Sequence, residues 1–567
     1  MKTKILFFAI SFVFAANSFA QTPDWQWAKS NGCNHDDGAT SVATDASGNI
    51  LVVGYFYNSS ITFGSTTLSN TAPNFYTDIF IVKYDVTGNV LWAKSAGGDS
   101  DDNVTSVATD ASSNILVAGS FGRSSTITFG TTTLSNTSNS VNMFIVKYDA
   151  TGNVLWAKSA DGNSVGAARS VTTDAYNNIL LTGTFALSSI IFGTDTLSNA
   201  GFSDMYIAKY DSTGNVLWAK STGGNYGVGA SSIVTDILGN IIVGGYFSSS
   251  SIIFGSTTLT NVGNQDMFIA KYDAIGNVLW AKSAGGNNYD GAASVTTDVW
   301  GNVIIAGAFQ NPSITFGSTT LINVGNEDMF IVKYDTSGNV LWAKSAGDNL
   351  PDGASSVSSD ASGNIVLAGW FSSSSITFGT TTLINAGSYG DIFIVKYEGN
   401  GNVLWAKSVG GNSYDGIYSL TIDVSDNILM AGEFRSPTII FGSDTLSSVG
   451  ISGGYDMIVA KLSSVTGMEI PSAAAQSDIL IYPNPSSGKF TVSLCHAEFV
   501  SASNQTLKQV QGDIAIYNVL GEKAGSWQLA AGKKEIMIDI SSQPEGIYFI
   551  QVKTEQGVAG RKLIIQK

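Results

Sequence analysis

Histidine, cysteine and glutamate carry much of enzyme chemistry, and most of this chain lacks them. Its 567 residues include 2 His and 2 Cys: His35, His496, Cys33 and Cys495. A Ser-His-Asp arrangement therefore has no base across most of the sequence. Neither cysteine stands in a nucleophile motif, and the pair lies at opposite ends of the chain, so disulfides are not its framework. His35 sits between Asn31 and Thr40 beside Asp36 and Asp37, where a lone loop histidine is ordinarily solvated. Glycoside hydrolysis needs paired carboxyl groups, one held protonated. Between residues 21 and 462 the glutamates are Glu327, Glu398 and Glu433, scattered.

One set of acids is more suggestive. Asp37, Asp102, Asp290, Asp352 and Asp415 fall at equivalent places in a repeat, with Val165 and Val228 in two further copies. Tyr226, Tyr289 and Tyr414 occupy the same loops. Carboxylates and aromatics gathered at one mouth would bind a cation or a sugar. Asp before Gly or Asn also makes an ordinary turn. No metal-ligand set and no cofactor motif accompanies them.

The elements that must position these residues follow from the repeat. Trp-Ala-Lys-Ser recurs with its Trp at 27, 92, 156, 218, 280, 342 and 405, a period of about 62 residues. One unit reads as four strands: Ser294 to Asp298, Val303 to Phe309, Met329 to Asp335, and Val340 to Ser345, here named a to d. Val, Ile, Phe, Tyr and Thr dominate, bounded by Gly, Asn and Asp, without helical period. A Ser/Thr-rich segment, Ser313 to Leu321, lies between b and c. The D-x-x-G-N turns, as at Asp45 to Asn49, Asp149 to Asn153 and Asp273 to Asn277, resemble calcium loops only superficially, lacking a late bidentate Glu.

Ile304-Ile305-Ala306 and Phe330-Ile331-Val332 are apolar on both faces, so each sheet is covered on both sides. Four-stranded sheets stacked around an axis meet that need and form a seven-bladed β-propeller. A solenoid would have shorter coils, and a row of separate sandwiches would show linkers. The first d strand precedes the first a, and the last c (Met457 to Leu462) has no d after it. Trp25 to Ser30 therefore completes the seventh blade and removes two open edges. The Lys of Trp-Ala-Lys-Ser and the Asp before strand c (Asp266, Asp328, Asp391) are expected to pair on the surface.

The chain opens with Met1-Lys2-Thr3-Lys4, an apolar run from Ile5 to Ala16, then Asn17-Ser18-Phe19-Ala20. This is a signal peptide (residues 1–20) with cleavage after Ala20, for a signal peptidase and the general export machinery. No Cys follows for lipid attachment, and no later stretch is long and apolar enough to span a bilayer as a helix. A net charge of −16 argues against nucleic acid as a partner. After the propeller segment, 21–462, residues 463–478 read as a linker. Residues 479–567 read as short alternating strands, a small Ig-like β-sandwich, so the whole chain is all-β.

Three resemblances follow from these residues. The pattern D-x-F-I-x-K-Y-D-x-x-G-N-x-L-W-A-K over roughly 25–462 resembles the bacterial β-propeller repeat family of secreted proteins, which implies the fold and little about activity. Asp149 to Trp156 is similar to quinoprotein repeats, in which the Trp docks one blade on the next; the Cys pair and calcium set of the quinone site have no counterpart here. The C-terminal module resembles the type A C-terminal sorting domain of the type IX secretion system of Bacteroidota. Tyr482-Pro483-Asn484-Pro485, Gly488, Gly521, Gly546, Tyr548 and Lys562 carry that likeness, around a longer insertion between Cys495 and Gln511. It implies recognition by the type IX translocon, removal by its sortase-like peptidase, and a place outside the cell or on the outer-membrane surface. The expected role is a non-enzymatic scaffold for adhesion or for binding an extracellular glycan or protein. The rivals are a secreted carbohydrate-active hydrolase or lyase using loop carboxylates, and a purely structural surface protein.

Overall fold

Asp45, Asp110, Asp174, Asp236, Asp298, Asp360 and Asp423 close the first hairpin of seven successive sheets, and those sheets make a ring. The computed structural model describes residues 23–32, 34–71, 76–123, 125–137, 140–162, 164–449, 453–464, 478–482, 486–495, 512–518, 523–529, 535–544, 546–554 and 557–565. Residues 1–20, read above as a signal peptide, most of the expected linker 463–478 and Pro483 to Pro485 lie outside these residues. The chain divides into two compact units, Met1–Thr466 and Gly467–Lys567.

In the first unit a blade runs a, b, c, d in antiparallel order. In blade 1 these are Asp37–Thr44, Ile50–Phe56, Asp78–Tyr84 and Val90–Ala96. Strands b and c are buried along almost their whole length, as at Val52, Val53, Phe80 and Ile81. Each blade buries both faces against its neighbours, which is why these strands do not alternate in polarity.

The seventh sheet is Asp415–Ile422, Ile428–Phe434, Asp456–Leu462 and, as its fourth strand, Trp25–Asn31. Ala28 pairs with Ala460 and Ser30 with Ile458. The two ends of the ring therefore share one sheet, and Trp27 and Ala28 are buried there.

The a strands pack against one another around the ring, and their serines explain why. Ser41 Oγ accepts the Val107 N–H at 3.1 Å, Ser106 the Val171 N–H at 3.1 Å, and Ser356 the Leu420 N–H at 3.0 Å. Ser170, Ser232 and Ser294 repeat the bond, and Ser419 closes the circle on Val42 at 3.2 Å. Strand a is an edge strand of its sheet, and each serine satisfies a backbone donor on the outer side of the neighbouring strand a.

The Ser/Thr-rich segment is a finding beyond the four-strand reading. Each unit contains a further two-stranded ribbon, for example Ser313–Phe316 with Thr319–Ile322. Ile314 and Phe316 point inward, and Phe316 packs on Phe330 at 5.2 Å between ring centroids. Gly317 turns the ribbon at φ 59, a conformation that favours glycine.

The second unit holds a three-stranded sheet (Asp478–Tyr482, Lys489–Cys495, Glu535–Asp539) and a four-stranded one (Lys523–Leu529, Gly512–Asn518, Gly546–Thr554, Gly557–Ile565). Phe490, Val492 and Ile538 from the first share a core with Ile514, Ile516, Ile550 and Leu563 from the second. Two sheets over one core make a small sandwich.

Candidate functional site

The acids singled out in the sequence do not form an open ring of ligands. Asp37, Asp102, Asp290, Asp352 and Asp415 are each 0% exposed at the start of strand a. Asp352 shows their role. Its Oδ1 accepts the Ser372 and Ser373 N–H groups at 3.0 and 3.2 Å, and its Oδ2 accepts the Ser373 hydroxyl at 2.7 Å and the Asp348 N–H at 2.9 Å. Asp415 does the same with Arg435, Ser436 and the Ser436 hydroxyl. These carboxylates staple the bend after strand b to the loop before strand a. Asp102 has no such hydroxyl donor among the described residues. Burial and then the charge of Asp78 push its carboxyl up to about 8.

The tyrosines stay outside that network. Tyr226 and Tyr289 are exposed, while Tyr414 is half-buried and packs edge-on against Tyr455 at 6.2 Å. Burial, reinforced by the charge of Glu433, pushes the Tyr414 hydroxyl up to about 12.

The expected surface pairing of Asp266, Asp328 and Asp391 is also corrected. All three are buried, and Asp266 and Asp328 accept the backbone N–H groups of Val262 and Val324 at 3.1 and 3.0 Å. Register explains it: Lys282 of Trp-Ala-Lys-Ser lies opposite Ile269, three residues from Asp266.

The lysine that does pair is the one in strand c. Lys83–Asp45, Lys147–Asp110, Lys209–Asp174, Lys271–Asp236, Lys333–Asp298, Lys396–Asp360 and Lys461–Asp423 are buried ion pairs at 2.8–2.9 Å. The Asp is the first residue of the turn between a and b, so the cation seated in that loop is an ammonium group. Asn49 and the turn amides fill the remaining acceptor sites of Asp45. Burial alone pushes Asp236 up, and Lys271 with Asn240 more than offsets it, holding the carboxyl below its ordinary range. The same lysines reach the next blade: Lys147 donates to Ser212 O at 3.1 Å and Lys333 to Gly399 O at 2.9 Å.

The Trp of strand d docks on that neighbouring turn. Trp280 Nε1 donates to Thr336 O and Trp342 Nε1 to Gly399 O, both at 3.1 Å. The rings lie against Gly338 and Gly401, where a Cβ would approach ring carbons to about 3 Å. A side chain larger than hydrogen would push the Trp off its seat.

Beside docked Trp27, Trp218 and Trp280 the blades leave a groove. Lys282 and Ser283 of strand d form one wall; Gly317, Tyr334, Gly338 and Asn339 of the next blade form the other, enclosing about 320 Å³. The same positions enclose about 420 Å³ at Lys220 and Ser221, and about 490 Å³ at Lys29 and Ser30. The third lies across the closing seam, so strand Trp25–Asn31 builds the same feature as the others. No spacing rule marks these grooves in sequence, but the recurring Lys-Ser and Gly-Asn that line them do.

At that seam Glu433 is 6% exposed and holds two hydroxyls: Tyr418 donates to Oε1 at 2.6 Å and Tyr55 of blade 1 to Oε2 at 3.0 Å. Its isolation in the sequence gives no signal of this role.

In the second unit, Tyr548 is buried and donates to Pro544 O at 2.9 Å. Gly488 adopts φ 101 with Ser541 packed on it. Tyr482 ends the first strand, and Lys562 lies within the last. Gly546 opens the strand that carries Tyr548. Gly521 lies outside the described residues.

These two units define a class: a seven-bladed propeller in one chain with a sandwich that directs export. Residues 480–566 match the family of secretion system C-terminal sorting domains, so the chain carries a type IX sorting domain and works outside the cell or on its surface. An uncharacterized WD repeat-containing protein of Acanthamoeba polyphaga mimivirus is 28% identical, over 80% of this chain and 40% of its own length. Regulatory protein FlaEY of Caulobacter vibrioides is 24% identical, over 47% of this chain and 30% of its own. The chain thus spans less than half the length of these curated relatives. Among solved structures, YCF48 bound to D1 peptide aligns over 79% of this chain and 100% of its own at 9% identity and a TM-score of 0.35.

Proposed function

We propose that the propeller is a non-catalytic binding scaffold, displayed outside the cell and acting through the grooves between its blades. The observation that supports this most is the recurrence of one groove, with the same wall residues, at three described blade junctions. Volumes of about 320–490 Å³ suit a small ligand group. Repetition around a rigid ring converts weak single contacts into avidity. Against the hydrolase alternative stands the burial of all five loop acids, with Asp352 and Asp415 engaged by backbone and hydroxyl donors within the fold.

The test is an array of glycans and extracellular proteins probed with the chain from Gln21. Binding that weakens when ligand density is lowered is the expected result. Silence across the array, or turnover of any glycan, would overturn the reading.

A further inference from the structure

Every lysine between residues 21 and 464 belongs to one of two sets. Seven are the strand-c lysines, buried and paired with Asp. The other seven are the strand-d lysines: Lys29, Lys94, Lys158, Lys220, Lys282, Lys344 and Lys407. Among the described residues none of these has a carboxylate within ion-pair distance. Lys158 and Lys282 are exposed and the others half-buried.

These lysines stand on the groove walls. The stems of Lys29, Lys94 and Lys344 lie against Gly88, Gly152 and Gly401 of the next blade's turn. Lys29 and Lys220 sit 5.9 and 5.6 Å from the rings of Trp27 and Trp218. The nearby acids are already engaged. Asp149 accepts the Thr151 and Asn153 N–H groups, both at 2.9 Å, and Asp195 accepts the Ala219 N–H at 2.8 Å. Those donors are neutral, so the turn carboxylates keep their charge; the strand-d ammonium groups are nonetheless the cations of the groove walls, and none is within ion-pair distance of a carboxylate among the described residues.

The blade 6 to blade 7 junction is the exception that fits. Strand d of blade 7 begins at Trp25, so no Gly-Asn turn precedes it, and Trp25 lies against Gly442. Lys407 there is held below the usual lysine range by burial, opposed by the charge of Asp24. At six junctions the Trp of strand d lies against the Gly of the next blade's turn; the seventh lacks that turn.

We propose that the six junctions bind an acidic polysaccharide, one carrying carboxylate or sulfate groups, with each ammonium meeting an anionic group and Asn and Ser meeting hydroxyls. This rests on the scaffold reading above and assigns its ligand class. A polymer with charges at regular intervals can engage neighbouring grooves in turn, whereas a single anionic sugar engages one.

The experiment immobilises polygalacturonate, dextran sulfate and neutral dextran, and measures binding of the chain from Gln21 at two salt concentrations. A variant carrying Lys→Gln at 29, 94, 158, 220, 282 and 344 is compared with an Arg123→Gln/Arg169→Gln control. The pair Lys158→Gln/Lys282→Gln, both at exposed positions, guards against loss of fold. The expected result is binding to an anionic polymer, weakened by salt, lost by about a hundredfold or more in the six-site variant, reduced several-fold in the pair and retained in the control. Anionic binding unaffected by the lysine variants would overturn the inference. Binding to neutral dextran or to array glycans without charge would overturn it while leaving the scaffold reading intact. No binding here or on the array would overturn both.

Discussion

Replacing Lys271 by Ala removes the cation from a buried pair and leaves Asp236 behind. The Asp236 carboxylate lies 2.8 Å from Lys271 Nζ, and the two side chains are 1% and 3% exposed. Asn240 and the turn amides remain as donors, so Asp236 keeps its hydrogen bonds but loses its counter-charge. The bond from Lys271 to Thr336 O of the next blade also goes. Removing one partner of a buried ion pair costs about 3–5 kcal/mol. Asp236→Asn combined with Lys271→Met should recover part of this, because no uncompensated charge remains. Urea unfolding of the wild type, Lys271→Met, Asp236→Asn and the double variant in a double-mutant cycle measures the coupling. A loss below about 0.5 kcal/mol for Lys271→Ala, the size of an exposed pair, would refute the assignment of these lysines as clasps.

Deleting residues 21–31 strips strand d from blade 7 and exposes two sheet edges; thermal melting should fall sharply, and an unchanged curve would rule out closure by this strand. Trp342→Ala removes a half-buried ring and its bond to Gly399 O, for a loss of about 2–3 kcal/mol by chemical denaturation, below the full-core range. The pH dependence has two signs. The Asp236 type is held low in the folded state, so its stabilisation is present above the ordinary value of 3.8 and is lost as pH falls through the lowered folded value. Asp102 is raised to about 8 and Asp290, Asp328 and Asp391 to about 6 by burial. Their stabilisation is present below 3.8 and lost as pH rises through about 6 to 8. Melting temperature should therefore peak near about pH 4 and fall as pH rises towards about 8, and Asp102→Asn should stabilise more at about pH 9 than at about pH 5; a profile that is flat across that range would contradict this.

Much of this architecture is legible in the sequence because it rests on backbone periodicity. The Trp positions count the blades, and the orphan strand at Trp25 and the orphan strand at Met457 predict each other. The side-chain network is less legible. An Asp before Gly reads as a turn residue whether its carboxylate faces solvent, as at Asp149, or is sealed inside, as at Asp352. The two lysines of each repeat look alike in composition, and only the register of strands c and d separates the buried Lys271 from the groove-lining Lys282. The ribbon at Ser313 to Ile322 is obscured because its strands are four residues long and rich in Ser and Thr, with two inward positions each. Glu433 cannot be read at all, since its partners Tyr418 and Tyr55 come together only when the ring closes.

Binding in the inter-blade grooves is the claim on which the rest depends. Equilibrium titration of the chain from Gln21 with a short glycan, taken from the strongest binder on the array, tests this most directly. Several equivalents per chain, behaving as one class of site and lost with the groove lysines, is the predicted result. Saturation at one equivalent, or binding untouched by those substitutions, would contradict it.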